Sequence, residues 1–351
     1  MKNILVLILI VSIFFLIVYK KYIMKKKRDK SKENSREVTW FLQNSIPYMN
    51  AGAETVAHVF NLYLVKHGYI VNVVGPWKES NYEGVNYINS SNKKVVKEAV
   101  ERSKILCSQL FHAEYTVNLG RQEYKNVIIF VHSVDYNKYF INKYKYIIDP
   151  SKLLLVYNSD SMKSQFDEYV NTFVLYPPVD CSIYKTKTNQ QYVTMINLSE
   201  KKGGNQLIKI AKKMPHIKFL GVHGGYDMQI MDETVNNITY VENTKDMRSI
   251  YAKTDILLIP SNPETWGRTA TEAMCSGIPV IAHPTEGLKE NLGEAGIFID
   301  KEDVDKYIDE IYKLKEDRNY YGKVSEKCKQ RSKELYGEKQ LIELVDKIEE
   351  L

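Results

Sequence analysis

At 351 residues the chain is too long for one ordinary core, and about 100–200 residues per domain points to two domains of similar size. Charged residues at 26% and hydrophobic residues at 44% are ordinary globular values, and the 26 tyrosines are a compositional bias without chemical meaning. The net charge of +6 is local: residues 20–36 carry +7 and Lys2 one more, which leaves −2 for residues 37–351 and excludes nucleic acid as a partner.

In chain order, residues 1–19 open with MKNILVLILIVSIFFLIV and predict a single membrane-spanning anchor. The apolar run is short against the roughly 20 residues a span needs, but Tyr19 and Tyr22 extend it into the interface. A cleaved signal peptide is the rival reading; Tyr19, Lys20 and Lys21 follow at once, without a small-residue cleavage pattern. Residues 20–36 read as a basic juxtamembrane linker that stays cytoplasmic and meets anionic headgroups. The expectation is a single-pass membrane protein with a cytoplasmic body. Cys107, Cys181, Cys275 and Cys328 lack C-x-x-C or zinc spacing and read as buried free thiols, in keeping with a reducing cytosol. Of the sequons at Asn89, Asn197 and Asn237, the second falls in a loop expected to bind phosphate, which argues against lumenal exposure.

From Val38 onward, short apolar runs alternate with helical patterns, the signature of βαβ units and parallel sheets. A first series places strands at 38–43, 70–75, 105–110, 126–132, 153–159 and 173–178, with a helix running from after Asn50 to a Gly68 cap. A second places strands at 192–198, 217–224, 237–242, 255–261, 278–283 and 296–300. Pro177 and Pro178 mark the crossing. The predicted domains are 37–178 and 179–335, with an amphipathic helix in 336–351 packing back on the first.

Two doubly wound domains bind ligand at the carboxyl ends of their strands, so the loops there are where chemistry belongs. In PSNPETWGRTATEAMCSGIPVIA a strand runs into a polar turn and then a helix. Backbone N–H groups of Gly267, Arg268 and Thr269 at that helix start can face an anion such as a nucleotide phosphate. Glu264 in the turn can accept from sugar hydroxyls, and Glu272, one turn into the helix, can hold a pair of ribose hydroxyls. Either glutamate alone would more often be a solvated acid near a helix start.

This block resembles the E-x7-E region of family 4 glycosyltransferases, and the match runs on through EGLKENLGEAG over about forty residues. The order of elements from Val38 resembles that family too. The resemblance implies an α/β fold of GT-B architecture: two Rossmann-like doubly wound domains facing a cleft, here preceded by one transmembrane helix. It implies that Glu272 holds the ribose and Glu264 contacts the donor sugar. PYMNAGAETVAHVF resembles the family's first-strand glycine loop, with Gly52 approaching the donor. NVIIFVHSVDY resembles the segment carrying its active-site histidine, here His132. His58 and His112 read as structural. MINLSEKKGGNQLIKIA resembles its phosphate loop, with Lys202 as the lysine and Gly203 and Gly204 opening a helix. The family's arginine five residues before that lysine is Asn197 here. We expect Arg268 to supply part of the missing charge.

The implied activity is retaining transfer of a hexose-type sugar from a UDP- or GDP-linked donor to a glycan, lipid-linked or protein acceptor, the leaving phosphate helping to take the acceptor's proton. No cofactor or metal is expected: Asp303-Val304-Asp305 begins a late helix, where acids cap. Acceptor contacts are expected from Trp77 to Tyr87 and from Asn118 to Tyr124. The alternatives are a GT-B epimerase or phosphorylase, and a membrane-tethered binding module without activity.

Overall fold

The computed structural model describes residues 35–133, 143, 149–165, 170–335 and 337–351. The expected anchor over 1–19 and nearly all of the linker over 20–36 lie outside the described residues. Among those described, no helix is long and apolar enough to cross a membrane.

The first sheet contains β1 (Glu37–Phe41), β2 (Ile70–Gly75), β3 (Ser80–Tyr82), β4 (Val85–Asn89), β5 (Ile105–Gln109), β6 (Asn126–Val131), β7 (Leu153–Tyr157) and β8 (Asn171–Val174), in the spatial order β3-β4-β2-β1-β5-β6-β7-β8. All neighbours are parallel except β3 against β4. Strands β1, β5, β6 and β7 are buried almost end to end, as strands covered by helices on both faces must be. The second sheet, β9 (Tyr192–Ile196), β10 (Phe219–Val222), β11 (Ile238–Val241), β12 (Thr254–Ile259), β13 (Val280–Ala282) and β14 (Ile297–Phe298), is wholly parallel in the order β11-β10-β9-β12-β13-β14. Both orders reverse beside their first strand, between β1 and β5 and between β9 and β12, and such a reversal opens a crevice at the carboxyl ends.

Two expectations need correction. Residues 80–89 form the hairpin β3–β4 rather than an irregular loop; its polar alternation and the positive φ of Glu83 and Gly84 hid an edge hairpin from a search for apolar runs. Asn118 to Glu123 lie within the helix Ala113–Glu123, with Tyr124 as its left-handed cap. Observed strands also stop short of their predicted ends. β6 ends at Val131, which makes His132 the first loop residue, and β12 ends at Ile259.

The chain crosses between the sheets twice. The first crossing follows β8 through Pro177 and Pro178. The second, near Gly337, runs beside it, where Tyr176 N donates to Gln340 Oε1 at 3.1 Å. The helix Glu338–Glu350 then buries Leu341, Leu344 and Ile348 in the core built by Val38, Trp40, Phe60 and Leu64 of the first sheet's domain.

Candidate active site

A cavity of about 330 Å³ lies between the two sets of strand ends. It is lined by Gly52 after β1, His132 after β6, Asn197 and Lys202 after β9, and Glu264, Gly267, Arg268, Thr269 and Glu272 after β12. Of the predicted site residues, Gly203 does not line it. Gly203 instead turns the chain behind Lys202: its φ is +100, and a Cβ would lie 2.5 Å from Pro260.

The loops after β9 and β12 are joined. Asn262 N donates to Lys201 O at 2.9 Å, and Lys202 Nζ meets Glu264 Oε2 at 2.5 Å. The Trp266–Gly267 turn is pinned from the interior, where Asn291 Nδ2 donates to the carbonyls of Trp266 at 2.9 Å and Gly267 at 3.0 Å. Gly267 has a φ of +82 and a Cβ there would press on Leu288, so the turn into the helix Arg268–Met274 requires glycine.

On that helix Glu272 is 2% exposed. Its Oε1 pairs with Arg268 Nη1 one turn back, and its Oε2 accepts from the buried Tyr251 hydroxyl at 2.6 Å. Arg268 Nη2 donates to the Tyr184 hydroxyl at 2.8 Å, with the guanidinium 5.3 Å from that ring's centroid. Burial works against the Arg268 charge, but the Glu272 carboxylate together with Tyr184 and Tyr251 outweighs it and pushes the pKa up. Burial also pushes the Tyr251 and Tyr184 hydroxyls up, so both stay protonated, Tyr251 donating to Glu272 and Tyr184 accepting from Arg268. Sequence reasoning missed both tyrosines, which stand 21 and 84 residues from the partners they hold.

Asn197 lines the cavity but carries no charge to it. Its Oδ1 accepts from Ser199 N at 3.1 Å, and Gly224 packs against its amide. Among the described lining residues the lysine and arginine cations are Lys202 and Arg268, each already paired with an acid. His132 donates from Nε2 to Gln109 Oε1 at 3.0 Å, and burial pushes its pKa down to about 4, so it is neutral at ordinary pH. His58 lies elsewhere, 2.8 Å from Glu83 on the edge hairpin.

The two sides of the cleft touch. Asn158 Nδ2 donates to Thr265 Oγ1 at 2.8 Å, Asn50 Nδ2 to Thr244 O at 2.7 Å, and the Tyr176 and Trp266 rings stack at 4.5 Å.

Cys181 and Cys275 form a disulfide, while Cys107 and Cys328 are free and buried. This corrects the expectation of four free thiols. The pair is 94 residues apart in sequence and is brought together because the short helix Cys181–Tyr184 packs on the end of the Arg268–Met274 helix. Asp303 caps the helix Val304–Glu316, and Asp305 pairs with Lys213. Among the described residues no group of three or more histidine, cysteine or acidic side chains is arranged to hold a metal ion.

The model of the family "Glycosyl transferases group 1" matches residues 182–335. An uncharacterized 41.2 kDa protein in the cps region of Klebsiella pneumoniae is 28% identical over 185 residues, which cover 49% of this chain and 49% of that protein. The D-inositol 3-phosphate glycosyltransferase of Mycolicibacterium smegmatis is 23% identical over 192 residues, covering 47% of this chain and 42% of the relative. The chain thus spans about half the length of the curated relatives it matches. The solved structure of HepE from Anabaena, in complex with UDP and glucose, superposes with a TM-score of 0.70 at 15% identity, covering 90% of this chain and all of that one. That likeness extends over both sheets and shows a GT-B-like fold. Residues 182–335 carry the module of the group 1 glycosyltransferases.

Proposed function

We propose that the chain transfers a hexose-type sugar, with retention of configuration, from a UDP- or GDP-linked donor to a carbohydrate or lipid-linked acceptor. The observation that carries this reading is that two ion pairs, Glu272 with Arg268 and Glu264 with Lys202, line one cavity at the strand ends. Glu272, fixed by Tyr251, offers a carboxylate to ribose hydroxyls, and Glu264 offers one to the donor sugar. Lys202 and Arg268 meet the charge that grows on the departing diphosphate, a preorganised effect worth several kcal/mol for each well-placed group. Neutral His132 lines the cavity and leaves its other ring nitrogen for the donor sugar. The acceptor's hydroxyl proton leaves with the diphosphate, so neither a protein nucleophile nor a metal is required. HepE, one of the structural neighbours, is described with UDP and glucose, which supports a nucleotide-linked sugar as the ligand class proposed here.

Membrane attachment belongs to the same proposal: residues 1–19 anchor the chain, residues 20–36 lie against anionic headgroups, and the body faces the cytoplasm. Flotation of the full chain with vesicles, against a chain lacking residues 1–19, tests it; equal flotation refutes it.

The decisive experiment titrates UDP- and GDP-sugars into the full chain, wild type beside Glu272→Ala, and follows donor hydrolysis with and without a chelator. Micromolar binding that Glu272→Ala abolishes, with turnover unaffected by chelation, is the expected result. Binding of no nucleotide-sugar, with the variant indifferent, favours the inactive binding module.

A further inference from the structure

Glu264 follows β12 in one domain and His132 follows β6 in the other, so chemistry that uses both depends on how the two loops are held together. One side chain reaches across. The Thr265 hydroxyl, next in sequence to Glu264, accepts from Asn158 Nδ2 at 2.8 Å and donates to the carbonyl of His132 at 3.4 Å. Asn158 and His132 stand just past neighbouring strands, β7 and β6, whose last residues Tyr157 and Val131 pair. Asn158 is 7% exposed, so its amide needs a partner, and the threonine supplies one.

Behind Thr265 the turn has no room to retreat. A Cβ at Gly287 would lie 2.2 Å from the Thr265 carbonyl oxygen, so the helix Glu286–Leu292 packs directly on that backbone. Asn291 of the same helix holds the next two carbonyls, and Lys202 holds Glu264 from the front. Other contacts along the seam join the domains without touching Glu264 or His132. Glu290 accepts from the backbone N–H groups of Asp160 and Ser161 at 2.7 Å each, and Tyr176 stacks on Trp266. The stiff turn and the Thr265 hydroxyl together fix the Glu264 loop against the His132 loop.

We propose that Thr265 is a positioning residue: its hydroxyl registers Glu264 against His132 across the donor sugar, and so governs the rate of sugar departure more than the affinity for the nucleotide. The inference rests on the transferase reading above. A misplacement of about 1 Å costs on the order of 100-fold in rate. Glu272, Lys202 and the helix start at Gly267, which take the nucleotide, all belong to the second sheet's domain, so loosening Thr265 from the first domain leaves their mutual geometry intact.

The test compares the full wild-type chain with Thr265→Val, which keeps the shape and removes the hydroxyl, and Thr265→Ser, which keeps the hydroxyl. Donor hydrolysis is followed with UDP-glucose, UDP-N-acetylglucosamine and GDP-mannose, affinity for UDP and GDP by calorimetry, and folding by thermal melting. Thr265→Val should lower kcat about 10–100-fold and leave the nucleotide Kd within about threefold. Thr265→Ser should recover most of the lost rate. In a His132→Ala background, Thr265→Val should cost less than about threefold more, because there is no ring left to register against. If Thr265→Val does not fold, Asn158→Ala, which removes the hydroxyl's partner and leaves the turn alone, is read in the same way. A wild-type kcat in Thr265→Val, a serine variant as slow as the valine one, a loss of nucleotide affinity equal to the loss of rate, or full additivity with His132→Ala would overturn the proposal. Failure of the wild type to bind either nucleotide would overturn the transferase reading, and the positioning role with it.

Discussion

Arg268 and Glu272 form an ion pair one helical turn apart, buried on the wall of the cavity, and each has a tyrosine as its second partner. Removing one member strands the other charge in a site with little water. Arg268→Ala and Glu272→Ala should therefore each lower stability by about 3–5 kcal/mol in urea unfolding. The double variant should lose clearly less than the sum, because it removes both charges together. Strict additivity would show that the pair is not coupled.

Lys202 and Arg268 are assigned to the leaving diphosphate, so their removal should act on the rate. Lys202→Ala is expected to lower kcat about 10²–10³-fold while raising the donor Kd much less. Arg268→Ala should follow the same pattern, a larger loss in rate than in donor affinity. Near-normal turnover in Arg268→Ala would remove that residue from the mechanism.

His132 has a pH signature with a definite sign. Burial lowers its pKa from 6.5 to about 4, so between those values the unfolded chain binds more protons than the folded one. Its contribution to stability is complete above pH 6.5 and is lost as the pH falls toward 4. Folded wild-type protein should lose stability in that window more steeply than His132→Asn. Equal slopes in the two proteins would mean that the histidine is not held neutral.

The disulfide makes a thiol count predictable. Denatured without reductant, the chain should expose two reactive thiols, Cys107 and Cys328, and four after reduction. Closing a loop of 94 residues restricts the unfolded chain, so reduction should cost about 2–4 kcal/mol. It should also weaken nucleotide binding, because the bridge ties Tyr184's helix to the end of the helix that carries Arg268 and Glu272. Four thiols before reduction would show that the pair stays reduced in the purified protein.

How much of this was legible in the sequence depended on whether a feature was local. Strands β5, β6, β7 and β12 are apolar almost throughout because helices cover both faces, and such runs declare themselves. Glu264 and Glu272 stood out because a strand, a turn and a helix start follow one another within twenty residues. The hairpin β3–β4 is short, polar and at an edge, so no periodicity marked it. Tyr184, Tyr251 and the Cys181–Cys275 bridge are tertiary facts: each partner looks ordinary until the fold brings the other beside it. Gly203 does not line the cavity; what its sequence neighbourhood could not display is the left-handed turn that it makes directly behind Lys202.

The two crossings of the chain between the sheets have a mechanical consequence. A single tether would act as a ball joint and leave the second sheet's domain free to swivel in any direction over the first. Two strands of backbone running side by side, at Pro177–Pro178 and at Gly337, behave as the paired pins of a door hinge, with the Glu338–Glu350 helix as the plate fixed to the frame. Rotation about the line through both pins remains easy and twisting is resisted. An opening of the cleft about that line is the motion this connection leaves easiest, and one along which Glu264 and Glu272 would keep a single register against His132.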